Sequence, residues 1–293
     1  MALAESTRTV AVMDGAPGTA RATRRLIVNA DDFGLSREVN AAVIRAHTEG
    51  VLTTASLMVN EDGFGEAVEL ARQHPRLGVG LHLSLVCGRS ALRQSEIPNL
   101  VDAQQRLPNC PVSAGMKFFF DPRCREQLER EVTAQFEKFF AAGLTLDHVN
   151  GHLHFHLHPA VFGIVMKHAR RWKVWQVRLT RDPFWLNARL ARGRWGYRVS
   201  HAVIFALLSA WARSVLARAG IRHTRNVYGL LQDGRADEPF VAGLLTNLPA
   251  GDSELYSHPS LDEFKHEYEA LISPRVIEAV RSEGIQLIRY GDL

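Results

Sequence analysis

Short apolar runs alternate along the chain with stretches of helical periodicity. Arg25 to Ala30 reads as a strand and leads straight into Asp31-Asp32-Phe33-Gly34. Ser36 caps a helix whose apolar face holds Val39, Ala42, Val43 and Ala46 and which ends near Gly50. β-Branched residues make Leu52 to Val59 a second strand. A helix over Gly65 to Gln73 and a third strand, Val79 to Leu85, follow. Residues 86–117 hold three prolines and little periodicity, which predicts a long loop. A helix spans Arg125 to Ala142 and stops at Gly143. Asp147 to Phe155 is expected to be extended, Pro159 opens another helix, and Val174 to Leu179 reads as a strand. Asn226 to Leu231, Glu254 to Ser257 and Gln286 to Arg289 bring the strand candidates to about eight, with helical segments between them. This alternation predicts a parallel sheet, open or closed into a barrel. A barrel suits 293 residues and places reactive groups at the C-terminal ends of strands.

Composition narrows the class. With 46% hydrophobic and 23% charged residues the chain is ordinary globular material, which argues against a collagen, a coiled coil or a mainly disordered chain. Cys87, Cys110 and Cys124 form no CxxC pair, so neither a disulfide scaffold nor a cysteine-rich zinc module is expected. The odd count fits a reducing, cytoplasmic compartment. The longest apolar run, Ala202 to Ala212, is broken by Ser209 and falls short of a bilayer span. Residues 1–23 read as a flexible leader without a signal-peptide core, and 24–293 as one domain. The net charge of +4 is unevenly placed: ten Arg and one acid between Arg178 and Arg225 carry +9, which leaves −5 for the rest.

Three features fall at the ends of predicted strands. Asn29-Ala30-Asp31-Asp32 sets two carboxylates side by side, and a metal would relieve their repulsion. One could ligate while the other acts as general base; a plain helix-capping turn is the alternative. Gly80-Leu81-His82-Leu83 offers a histidine that is either a ligand or a satisfied strand residue. His148 to His158, following Asp147, places five of the thirteen histidines in eleven residues. If extended, this segment sets His148, His152, His154 and His156 on one face. A surface cluster or a nonspecific metal trap is the bland reading. Together these residues suggest one divalent metal ion on a carboxylate and two imidazoles, with open positions for hydrolysis of an amide or ester. Zn²⁺ suits that set best; Mg²⁺, Ni²⁺ or Co²⁺ are also compatible. His258, between a strand and Pro259, is the candidate general acid, against the alternative of a loop histidine without a role.

The segments NADDFGL (Asn29 to Leu35), GLHL (Gly80 to Leu83), DHVNGHLHFH and ELYSHP resemble the YdjC-like carbohydrate deacetylases, over roughly Arg25 to Tyr290. DDFGLSREVNAAV, LTTASLMV, Glu96-Ile97-Pro98 and LDHVNGHLHFHLHP are most similar to the hopanoid biosynthesis-associated HpnK group. The resemblance implies a distorted (β/α) barrel of about seven parallel strands, related to the polysaccharide deacetylases. It makes Asp31 the general base and Asp32, His82 and His152 the metal ligands. His154 becomes a residue beside the substrate or behind the ligands, because Leu153 stands where a common family version has a histidine. The implied substrate is an N-acetylglucosaminyl hopanoid, a glycolipid. Rival readings are a soluble chito-oligosaccharide deacetylase, a metal-dependent phosphoesterase and a non-enzymatic metal-binding protein.

The segment from Phe184 to Arg225 mixes Arg with aromatic and aliphatic residues and holds Trp185, Trp195 and Trp211. It suggests peripheral contact with an anionic membrane surface, here the inner membrane. A barrel helix with a solvated Arg face and a homodimer contact are the alternatives. Arg178 and the three tryptophans are candidate substrate contacts. No recognised motif supports nucleic-acid binding.

Overall fold

The computed structural model describes residues 23–293, so the expected leader lies outside the described residues. Seven strands join one parallel sheet: β1 (Arg24–Phe33), β2 (Thr54–Leu57), β3 (Gly78–Leu83), β4 (Val149–Gly151), β5 (Asn226–Tyr228), β6 (Gly251–Ser257) and β7 (Ile285–Leu287). The order is β4-β3-β2-β1-β6-β5. β6 runs along one edge of β1; β2 pairs with Asn29 to Phe33 and β7 with Arg24 to Leu26.

Between β4 and β5 the ring continues through an irregular segment. Val149 N–H donates to Gln176 O at 3.0 Å, Val177 N–H to Arg222 O at 3.1 Å, and Val227 N–H to Arg181 O at 2.9 Å. The expected strand Val174 to Leu179 is therefore this stave, held by bridges rather than a full ladder. The distorted seven-strand α/β barrel is the fold.

Strand alternation sorts the side chains. Leu26, Val28 and Ala30 of β1 and Leu81 and Leu83 of β3 face outward into an apolar shell under the helices. That shell packs beneath α1 (Arg37–Glu49), α2 (Phe64–Gln73), α4 (Pro122–Ala141), α5 (Pro159–His168) and α8 (Glu238–Thr246). Ser36 caps α1 by accepting from Val39 N–H. The inward positions are mostly polar. Asn29, Ser56, His148 and Asn150 are buried and bonded to one another, whereas barrels of this class usually fill their interior with Val, Ile and Leu.

Four expectations need correction. Residues 86–117 are not all loop, because α3 (Pro111–Phe120) begins within them; Pro111 sits in its first turn, where a missing N–H costs nothing. Asp147 to Phe155 is extended only over β4. His152 to Leu157 coils into a 3₁₀ turn, with Leu153 and His154 at φ 48° and 58°. The histidine comb therefore does not exist: His148 points into the lower barrel, its ring stacked on Tyr290 at 4.3 Å. Finally, after α6 (Phe184–Leu190), α7 (Trp195–Ala219) is by length and composition apolar enough to cross a membrane, although no unbroken run suggested it. It lies on the barrel instead, with Ser209 Oγ donating to Thr180 O at 2.6 Å and Trp211 against Phe162.

Gly80 makes room for His148. A Cβ there would lie 2.5 Å from its Cε1. Gly80→Ala is expected to destabilise the fold by roughly 1–3 kcal/mol, read as a lowered midpoint in urea. An unchanged midpoint would mean that the imidazole is not fixed there.

Candidate active site

Asp31 and Asp32 are consecutive, so a regular strand would send them to opposite faces. The register of β1 against β2 shifts between Ala30 and Phe33, and Asp32 adopts φ 63°. That left-handed residue, uncommon for a side chain other than Gly or Asn, turns the second carboxylate toward the same cleft as the first. Both line a cavity of about 210 Å³ together with Ser36, Val39, His258 and Ser260.

Asp32 Oδ1 lies 3.1 Å from His82 Nε2 and 3.0 Å from His152 Nδ1. His82 is held from behind: its Nδ1–H donates to Asn150 Oδ1 at 2.7 Å, which leaves the Nε2 lone pair facing Asp32. A lone pair opposing a carboxylate oxygen at that distance is repulsive unless a proton or a cation stands between them. Donor atoms of Asp32, His82 and His152 all fall within 4.8 Å of one another. One carboxylate and two imidazoles are a donor set for a catalytic divalent cation, so the residues fit the expected metal. The 3₁₀ turn after β4 is what brings His152 to this point.

Asp31 has a different environment. Arg178 NH1 donates to its Oδ2 at 2.6 Å and NH2 to its Oδ1 at 2.9 Å. Asn29 and Asn150 also donate to Oδ1, at 2.8 and 3.0 Å. Burial alone would raise its pKa, but Arg178 and the nearby His82 hold the carboxyl well below its usual range. Oδ1 is saturated, while Oδ2 carries one donor and keeps a lone pair free.

His258 lies across the cleft. Burial would lower its pKa, but Glu267, 3.6 Å from Nδ1, and the two aspartates lift it to about 9.

The "YdjC-like protein" family model matches residues 25–282. The chain belongs to the YdjC-like family. A carbohydrate deacetylase of Geobacillus stearothermophilus is 30% identical over 277 residues, 92% of this chain and 98% of that one. A carbohydrate deacetylase of Brevibacillus brevis is 46% identical over 150 residues, but that match spans only 57% of its length and 51% of this chain. Among solved structures, a candidate cellobiose-phosphate cleavage protein of Enterococcus faecalis superposes with a TM-score of 0.71 at 24% identity, covering 92% of this chain and 98% of that one. At that identity the likeness concerns the fold.

In this YdjC-like protein the structure brings together Asp31, Asp32, His82, His152 and His258. It separates the other candidates from the cleft. Arg178 is fully buried behind Asp31, so it is a positioning residue and not a substrate contact. His154 is also buried, bonded through Nε2 to Tyr256 Oη at 2.9 Å. Trp185, Trp195 and Trp211 lie on α6 and α7 and do not line the cleft. Sequence reading missed Asn29 and Asn150, which orient Asp31, and Glu254 and Tyr290, which hold Arg178. Asn29 alone carried a signal, a polar residue closing the apolar run Leu26 to Val28.

Asp31→Asn is expected to abolish turnover yet keep one metal per chain, whereas His82→Ala and His152→Ala lose the metal. Elemental analysis of the purified variants reads this directly. A metal-free Asp31→Asn would make Asp31 a ligand and end the division of roles.

Proposed function

We propose that this chain is a metal-dependent carbohydrate N-deacetylase that hydrolyses the acetamide of an N-acetylglucosaminyl hopanoid to the free amine and acetate. The observation that carries the hydrolase reading is the unlike setting of two adjacent carboxylates, one on an imidazole pair and one on an arginine, in the cleft that also holds His258. The names of its relatives support a carbohydrate amide as substrate.

Asp32, His82 and His152 would hold the cation. When bound, a divalent cation there supplies Lewis acidity, polarising an amide carbonyl and acidifying water. Asp31 presents Oδ2 to the cleft as the proton acceptor, and Arg178 keeps it anionic and fixed in direction. His258, protonated at neutral pH, gives its proton to the departing sugar nitrogen. Glu267 holds His258 in place: it accepts the backbone N–H of that residue at 2.5 Å as well as facing its ring.

A lipid substrate is supported by the surface beside the site. Leu153, next in sequence to the ligand His152, is 47% exposed. α3 meets the same turn, with His158 Nε2–H donating to Gly115 O, and exposes Val112, Met116, Phe119 and Phe120. α7 meets it through Phe205 against His154, and exposes Val199, Val203, Ile204 and Leu207. The exposed face of α7 from Trp195 to Ala217 carries no charge; Arg189, Arg192 and Arg194 are exposed before it and Arg218 at its end. This is neither an Arg-faced helix nor an even mixture of Arg with aromatics, and it suits an acyl-chain surface edged by anionic headgroups. A second copy of the chain is the other occupant such a face admits.

The decisive assay compares acetate release from an N-acetylglucosaminyl hopanoid in phosphatidylglycerol vesicles with release from diacetylchitobiose. Release from the lipid is expected to fall at least several-fold in Ile204→Glu/Leu207→Glu, with disaccharide turnover unchanged. Release from diacetylchitobiose alone would keep the chemistry and discard the lipid.

The state of His258 sets the alkaline limb of turnover. It is protonated below about 9 and loses its proton above, so kcat falls as pH rises through that region. A cation on Asp32 would cancel part of the negative field and move the limb toward lower pH. Glu267→Gln removes the facing carboxylate and is expected to move the limb toward lower pH. A limb that stays in place would assign it to another group.

A further inference from the structure

A second concave site lies on the outer flank of the barrel, away from the catalytic cleft. Arg181, Arg213, His223, Arg225 and Asp252 line a cavity of about 410 Å³. Arg181 follows the irregular stave, Arg213 projects from the last third of α7, Arg225 immediately precedes β5, and Asp252 opens β6. The cavity therefore sits near the N-terminal ends of β5 and β6, while the cleft with Asp31 and Asp32 sits at the C-terminal end of β1.

The charges in it do not balance. Three guanidinium groups and an imidazole share the cavity with one carboxylate. That carboxylate is already engaged: Arg25 Nε donates to Asp252 Oδ1 at 2.5 Å and its NH2 to Oδ2 at 2.7 Å, a bidentate pair. Among the described residues, no ion pair reaches Arg181, Arg213 or Arg225. Arg213 Nε is buried and has no hydrogen-bond partner there. The buried Arg213 N–H lacks an acceptor, and the exposed guanidinium groups of Arg181 and Arg225 stand at the same hollow, so an anion there would supply the acceptor and relieve the like-charge repulsion.

The chemistry of that anion follows from the donors. A planar carboxylate offers two oxygens in one plane and satisfies one guanidinium fork. Forks from three separate elements need an acceptor with oxygens pointing several ways and a charge beyond −1. Phosphate and phosphate esters have both properties. The cavity leaves space for the group that the phosphate is joined to.

We infer that Arg181, Arg213, His223 and Arg225 form a phosphate-binding pocket on the flank of the barrel, separate from the metal centre. The pocket stands on its own geometry and does not depend on the deacetylase reading. Two sources of phosphate are compatible with it. Arg213 is half-buried on α7 and follows the exposed Ala206 and Ala210 by seven and three positions, which sets it at the edge of the exposed face, so the headgroup of an anionic phospholipid can reach it. A soluble phosphate compound can reach it from solvent.

Two arms separate these sources, each comparing wild-type protein with Arg213→Gln/Arg225→Gln. In the first, inorganic phosphate is titrated calorimetrically and in thermal melts, against sodium chloride at equal ionic strength. Wild type is expected to gain thermal stability with phosphate beyond the salt control, and the double variant to bind at least about tenfold more weakly. In the second, sedimentation with phosphatidylglycerol and phosphatidylcholine vesicles reads the lipid source. Loss of phosphatidylglycerol binding in the variant assigns a headgroup; loss of phosphate binding alone assigns a soluble ligand. Neither residue touches the catalytic cleft, so acetate release from diacetylchitobiose reports that the variant is folded. Without ligand, removing two like charges leaves the melting temperature equal or higher. A variant that melts lower without ligand, or that binds phosphate and vesicles as wild type does, overturns the pocket.

Discussion

The guanidinium of Arg178 is completely buried, and the geometry of the site depends on how that charge is held. Two carboxylates flank it, Asp31 above and Glu254 below, each at 2.6 Å. Tyr256 lies under it at 4.4 Å, and the Tyr290 hydroxyl donates to the far oxygen of Glu254. Removing one partner from such a cluster typically costs roughly 3–5 kcal/mol, because the remaining charge stays buried without a counterion. The cluster also ties distant parts of the chain together. Arg178 belongs to the stave that fills the ring, Glu254 to β6, Asp31 to β1, and Tyr290 to the segment after β7. From Asp31 the bonds continue through Asn150 to His82, so an arginine remote from the candidate metal ligands sets the direction of one of them.

A polar barrel interior has a structural cost, which the outer faces offset. Hydrogen-bonded buried groups contribute little net stability, whereas apolar burial contributes about 25 cal/mol per Å². Stability therefore comes from the shell between strands and helices, and the strand interiors are free to carry chemistry. α7 departs from this division. It buries Ser209, Ala212 and Leu216 against the barrel but leaves Leu207 69% exposed and Val203 56% exposed on the other side. A helix that only covered the barrel would turn polar residues outward. The apolar outer face of α7, like that of α3 at the same turn, is what the proposed acyl-chain surface rests on.

How much of this was legible in the sequence depended on the range of the interaction. The alternation of Leu81, His82 and Leu83 is local, and in β3 it sets one side chain inside and two in the apolar shell. Asp31, Asp32 and His82 were legible because reactive residue types stood at strand ends, whereas His152 was singled out from its histidine cluster only by the resemblance to the YdjC-like family. The histidine comb failed because period-two reasoning assumes continuous extension, and the backbone turns left-handed at Leu153 and His154. Arg178 was visible only as one more arginine in a basic segment. Its partners lie 147 and 76 residues away, and nothing local distinguishes it from the solvated arginines that follow. Similarly, the apolar content of the segment around α7 was evident, but the crowding of its arginines toward the ends of the exposed face required knowing which residues the barrel covers.

Two aspartates adjacent in sequence and facing one cleft pose an electrostatic problem that the fold solves asymmetrically. Had both relied on one cation, moving that cation would have changed the charge of both. Here Arg178, shared with Glu254, gives Asp31 a permanent counter-charge, since a guanidinium does not lose its proton at working pH. Asp32 is left to imidazoles, which can exchange a proton for a metal ion. The left-handed turn at Asp32 is what permits the separation: it lets both carboxylates face the cleft while sending them to different partners. Environment rather than residue type thus separates the two carboxylates, as it does where paired titratable groups are driven apart, and in the proposed function it gives one binding and the other proton transfer. In that proposal the asymmetry also accounts for a base of such low proton affinity. Asp31 is held by four hydrogen bonds from three residues, so its geometry is fixed before any substrate arrives, and its strength as an acceptor lies in direction more than in basicity.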